Sequence, residues 1–264
     1  MTLTLEPLGP FTLAEPVRMA CVDDSGAPVA FAARPGGGAV VVDWVSSLPE
    51  DAVERHVARI LSLDVDARGV GEVDDPVARD LLASGRRPVC FGSPFEAAVW
   101  AVLTQRQSMV QAGRIKDELS LAHGTSLEID GAVVQAFPAP AVLAGLDALP
   151  GVSATKLERI RALAAAATAG DLDPARLRGL ELDAALEHLQ TLPGIGPFGA
   201  MLVLARGAGH PDVPAPTLSR FRQAVTAAYG RDEAMTDAEI ASLSDGWRPY
   251  RSWVTFLMRS AGPA

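Results

Sequence analysis

The residues best suited to chemistry form one short string, Leu192-Pro193-Gly194-Ile195-Gly196-Pro197. Two glycines set among prolines and apolar residues suit a tight turn between helices. Pro193 helps to end a first helix, and Pro197 takes the first position of a second. That second helix would start with free backbone N–H groups and the positive end of its dipole, a ready site for a phosphate. Glycine at 194 and 196 permits unusual backbone angles and lets a phosphate approach the main chain closely. The bland alternative is a plain turn. The complete string between two amphipathic segments favours contact with a DNA strand. Such a contact fixes position and carries no sequence information. Leu192, Gly194, Ile195 and Gly196 are the expected DNA contacts.

Little else supports a cofactor or metal. Two cysteines, Cys21 and Cys90, cannot build a four-thiolate cluster, and the four histidines make no zinc pattern. We expect two separate buried thiols, no metal held by side chains, and no cofactor. The net charge of −9 argues against strong nonspecific DNA binding, because phosphate neutralisation needs Lys and Arg. A local basic face is still allowed. Arg206, Arg220, Arg222, Arg231, Arg248, Arg251 and Arg259 gather in the last quarter of the chain. Solvated surface arginines on an acidic protein explain that cluster equally well. No run is long and apolar enough for a membrane span, and the N-terminus does not read as a signal peptide. These features suggest a cytoplasmic, nucleoid-associated protein.

The elements that must position the hairpin are mostly helical. Residues 1–90 read as a mixed α/β domain. Val-rich runs at Phe11 to Ala20, Pro28 to Ala33 and Gly38 to Val45 alternate with Asp- and Gly-rich turns, as in an antiparallel sheet. Helical spacing follows at Pro49 to Leu63 and Asp75 to Ala83. Gly85-Arg86-Arg87-Pro88 is the expected boundary. Residues 91–264 read as helices, beginning with a capping box and first-turn proline at Ser93-Pro94-Phe95-Glu96. One short extended run spans Gly131 to Phe137. The fold class is α+β: a mainly helical body with a small N-terminal antiparallel sheet.

With these residues in place, the chain resembles the helix-hairpin-helix DNA glycosylase superfamily. It is most similar to the bacterial alkylation-repair branch, 3-methyladenine DNA glycosylase II. Four stretches carry the likeness: Ser93 to Ala97 on to Gln105, Leu149 to Ser153 with Lys156, Arg159 and Ile160, the hairpin, and Trp247 to Ser252. The resemblance implies a monomer that bends damaged or abasic double-stranded DNA and flips a nucleotide into a pocket between helical domains. It also leaves room for a monovalent cation held by hairpin backbone carbonyls. In the family, an aspartate about twenty residues past the hairpin stabilises the positive charge that a departing base leaves on the sugar.

This sequence departs from that pattern at the chemical step. Asp212-Val213-Pro214-Ala215-Pro216 matches the family stretch, but the two following aspartates fall on Thr217 and Leu218. Leu218 takes the catalytic position, twenty-two residues beyond Gly196, and can neither stabilise a cation nor activate water. Asp212 is a weak substitute and reads better as a structural loop aspartate. Phe198-Gly199-Ala200 replaces the region where lyase branches carry a lysine. The likeness assigns the base pocket to Phe198, Leu202, Leu218 and Arg259, and further DNA contacts to Gln105, Arg106 and Thr217. Arg106 stands where the family inserts a wedge into the stack. Two functions follow: a glycosylase-like repair protein with altered or lost hydrolysis, or a noncatalytic binder of bent, damaged or abasic DNA.

Overall fold

The computed structural model describes residues 1–23, 25–216 and 218–261. Four antiparallel strands form the first sheet: β1 (Thr2–Leu5), β2 (Val17–Val22), β3 (Pro28–Gly36) and β4 (Ala39–Ser46), in the order β1-β4-β3-β2. Val29, Phe31 and Ala33 face one side and pack with Trp44 beneath helix α1 (Glu50–Ile60). Ala30 and Ala32 face the other side. Both faces are covered, so β3 reads as a nearly continuous apolar run.

The cover on the second face is a two-stranded hairpin, β5 (Ser126–Ile129) and β6 (Ala132–Gln135). Its turn residues Asp130 and Gly131 have φ of 51° and 68°, as a type I′ turn requires. The sequence shows only the second strand as an extended run, although Asp-Gly is the turn's own signal. The expected strand from Phe11 begins only at Val17. Pro16 has no N–H to give a ladder, so pairing starts after it.

Helices make up the rest. After α2 (Pro76–Ala83) come α3 (Pro94–Leu103), α4 (Met109–His123), α5 (Pro140–Ala144), α6 (Ala154–Thr168), α7 (Pro174–Gly179), α8 (Leu182–Gln190) and α9 (Pro197–Leu202). A π-helical turn at Val203–Gly207 follows α9, then α10 (Ser219–Ala228), α11 (Asp237–Asp245) and α12 (Arg251–Ala261). The central helix is α3, in which every residue but Trp100 is buried. Ser93 caps it by accepting from the Glu96 N–H at 3.1 Å. The Glu96 carboxylate reaches the Gly92 N–H, one residue before the position an ordinary capping box would use.

Three main cores result. One joins the sheet to α1. A second surrounds α3 and includes residues from α4, α6, α8 and the π turn. The third packs residues 65–82 against α10, α11 and α12, with Trp247 and Trp253 buried inside it. Both cysteines are buried and unbridged.

Candidate nucleic-acid interface and pocket

Helix α8 ends at Gln190 and α9 begins at Pro197, so the glycine string forms the connection between them. Gly194 has φ of +86°, and an added Cβ would lie 2.7 Å from the Arg159 Cδ. Only glycine meets both constraints. Gly196 differs from expectation. Its φ of −92° is open to any residue, and a Cβ there would meet nothing within 4 Å. Its contribution is a bare main chain at the mouth of α9. Leu192 and Ile195 are buried, so their side chains support the hairpin from inside, and their N–H groups already donate to the Leu189 and Leu192 carbonyls.

The turn between α3 and α4 sits beside the hairpin. Gln105 Nε2 donates to the Gly194 carbonyl at 2.6 Å, and Arg159 Nη1 donates to Gln105 Oε1 at 2.9 Å. Gln105 therefore fixes the hairpin and is itself occupied. Gln107 is held on the other side by Lys156 and the Gly151 carbonyl. Between these two fixed glutamines, Arg106 is exposed with φ of 55°. Among the described residues it has no side-chain partner. A left-handed arginine held out by its neighbours is a strained feature of the kind found at functional sites. Met109 and Val110 lie exposed just after it.

A cavity of about 270 Å³ opens past the hairpin, close to the roughly 300–1,000 Å³ usual for small-molecule pockets. Phe198, Leu202 and Arg206 line one wall. Their spacing of four puts them on one helical stripe. Ser252, Thr255, Phe256 and Arg259 form a matching stripe on α12, and Val213, Pro214 and Pro216 join the two walls. Phe198 keeps 39% of its surface exposed. Among the described lining residues there is no carboxylate.

Of the residues assigned to the pocket from sequence, Phe198, Leu202 and Arg259 come together. Leu218 does not line the cavity; it is the N-cap of α10 and packs against the third core. Thr217 lies outside the described residues. Asp212 is committed elsewhere. Its oxygens accept from Arg251 Nε at 2.7 Å and Nη2 at 2.9 Å, and from Arg248 Nη1 at 3.2 Å. The Arg251 side chain is only 4% exposed, so this pair pins α12 to the loop after the π turn.

Arg206 also lines the pocket, although in the sequence it stands only as one of the clustered C-terminal arginines. Its place four residues after Leu202 was the available signal. Burial, with a smaller contribution from Arg259, lowers its pKa below the ordinary arginine value. Of the other clustered arginines, Arg222 pairs with Asp237, and Arg248 with Asp212 and Asp245. Arg259 forms no ion pair among the described residues. No group of three His, Cys, Asp or Glu among the described residues could hold a metal. No described helix is long and apolar enough to cross a membrane.

No family model matches the chain. It is 32% identical over 205 residues to the probable bifunctional transcriptional activator/DNA repair enzyme AlkA of Mycobacterium tuberculosis, covering 75% of this chain and 40% of that protein. It is 33% identical over 172 residues to DNA-3-methyladenine glycosylase 2 of Escherichia coli, covering 64% of this chain and 57% of that one. The chain thus spans about half the length of the curated relatives it matches. The solved 3-methyladenine DNA-glycosylase of Archaeoglobus fulgidus superposes with a TM-score of 0.76 at 22% identity, covering 97% of both chains. The chain has the helix-hairpin-helix DNA glycosylase fold and is a relative of the bacterial 3-methyladenine DNA glycosylase II proteins.

Proposed function

We propose that this protein is a glycosylase-like base-excision repair protein. It binds damaged double-stranded DNA as a monomer in the cytoplasm and accepts a flipped base, with hydrolysis of the N-glycosidic bond altered or lost. The observation that carries this reading is the adjacency of hairpin and pocket. Phe198 is the second residue of α9 and already lines the cavity. A strand anchored at the start of α9 would therefore hold a flipped nucleotide next to that cavity.

Each part has its own role. Backbone groups at Gly194 and Gly196 take a phosphate, with Leu192 and Ile195 packing behind them. Arg106 enters the stack or contacts the backbone. Phe198 and Leu202 receive the base, and Arg259 closes the far side. A monovalent cation could ride on the hairpin carbonyls: those of Leu192 and Gly194 each accept one hydrogen bond and retain a second lone pair.

Two features support the noncatalytic reading. By resemblance Leu218 stands at the usual carboxylate position, and the described pocket lining has no acid. A sugar cation forming there would have no fixed counter-charge.

A base-release assay on a panel of damaged duplexes tests the proposal, with Leu218→Asp beside the natural chain. We expect weak or absent 3-methyladenine release from the natural chain. Leu218→Asp should gain release of at least one base in the panel. Robust release by the natural chain, surviving alanine substitution of each nearby carboxylate, would overturn the account of the chemical step.

A further inference from the structure

The pocket carries two cationic side chains, with no acid among its described lining residues. Arg206 and Arg259 both line it, and neither forms an ion pair among the described residues. Arg206 Nη2 donates to the Val89 carbonyl, and the guanidinium carbon lies 4.8 Å from the centre of the Phe256 ring. The Arg206 Nε is buried without an acceptor, and so is the hydroxyl of Thr255 on the facing helix. Buried donors are nearly always satisfied, so each exception calls for an explanation. Most of the five donors of a guanidinium thus stay unused at Arg206. The other lining side chains named above are largely apolar and include the rings of Phe198 and Phe256.

We propose that this pocket selects an everted nucleobase that is neutral or anionic and rich in carbonyl oxygens, and rejects a cationic N-alkylpurine. The inference rests on the reading that the protein receives a flipped nucleotide. An alkyl group on N3 or N7 leaves a purine nucleoside positively charged. Two guanidiniums on the pocket wall repel that charge, and partial exclusion of water strengthens the repulsion. Exocyclic carbonyls, in contrast, accept from arginine, as guanine O6 does in the major groove. An oxidised or deaminated purine has such oxygens and no positive charge.

The test is fluorescence anisotropy on the full chain with otherwise identical duplexes. One holds xanthine and another 7-methylguanine, each as a 2′-fluoro nucleotide to block release. A third holds a tetrahydrofuran abasic analogue, and a fourth is intact. Xanthine and 7-methylguanine share the purine ring and the O6 carbonyl and differ by a single heavy atom, and at pH 6.5 xanthine is largely anionic while 7-methylguanine is largely cationic. We expect the xanthine duplex to bind at least about tenfold more tightly than the 7-methylguanine duplex. Arg259→Glu, at an exposed position, should cut that ratio at least about fivefold, and Arg259→Lys should largely keep it. Equal or tighter binding of 7-methylguanine by the natural chain, or a ratio unmoved in Arg259→Glu, overturns the proposal. If the abasic duplex still binds better than intact DNA in that case, only the pocket inference falls. If no lesion duplex outbinds intact DNA, the flipped-nucleotide reading falls with it.

Discussion

At the scale of single residues, the decisive carboxylate is Asp212. Three guanidinium contacts from Arg251 and Arg248 absorb it, and its partner Arg251 is almost fully buried. Asp212→Asn leaves that arginine without its counter-charge, so stability should fall by about 3 kcal/mol in urea unfolding. Duplex binding, and any base release gained by Leu218→Asp, should be unaffected where the variant is folded. Full stability with that release lost would make Asp212 a chemical residue. His56 offers a second residue-scale prediction. Burial first, and Arg59 second, lower its pKa from 6.5 to about 3. The unfolded chain therefore binds the proton more readily than the folded one. Its contribution is complete above pH 6.5 and is lost as pH falls toward 3. Thermal unfolding should show a loss of about 2 kcal/mol by pH 5, and His56→Leu should flatten that slope. Only part of this was legible in the sequence. The hairpin glycines and the leucine at 218 are local signals. Asp212's commitment depends on a helix that begins thirty-nine residues later, which no spacing rule reaches.

Among the elements, the turn between α3 and α4 matters most. Its two glutamines fix it to the hairpin and to α6, while Arg106 pays for the turn with a left-handed backbone. Glycine would relieve that backbone. Arg106→Gly should keep or raise stability by up to about 1 kcal/mol. It should also lower affinity for abasic duplex by at least about fivefold, as loss of an inserted or phosphate-contacting side chain requires. Thermal melts and anisotropy read the two effects, and a joint fall in both would mean that Arg106 is structural. The sequence marks Arg106 by resemblance, but not the strain, because φ at a turn reflects the clamps around it. The π turn was equally hidden. It replaces one helical turn and carries Arg206 toward the pocket, although the i, i+4 stripe from Phe198 and Leu202 was visible all along.

Over the whole molecule, arginines tie the parts together. Arg87 is buried and donates to the carbonyls of Leu8, Pro10, Ser62 and Val65, with the Trp253 ring 5.1 Å away. Burial brings its pKa down to about 10, so it stays charged at neutral pH. Arg87→Met leaves four carbonyls short of a donor and should cost about 3 kcal/mol of stability by urea unfolding. A near-neutral result would mean that water replaces the guanidinium. The sequence suggests a loop at Gly85 to Pro88, and the loop is there, but its arginine is a buried tie. Arg59 acts similarly, donating from α1 to the Gly207, Phe91 and Gly92 carbonyls. These ties hold the pocket's π turn against the sheet-bearing part of the chain. The central claim is that this scaffold holds a flipped or missing nucleotide beside the hairpin despite a net charge of −9. Its most direct test is the affinity for a duplex with one abasic analogue against the same duplex intact, at low salt. The account predicts at least about tenfold preference for the abasic duplex. Equal, negligible binding to both would contradict it.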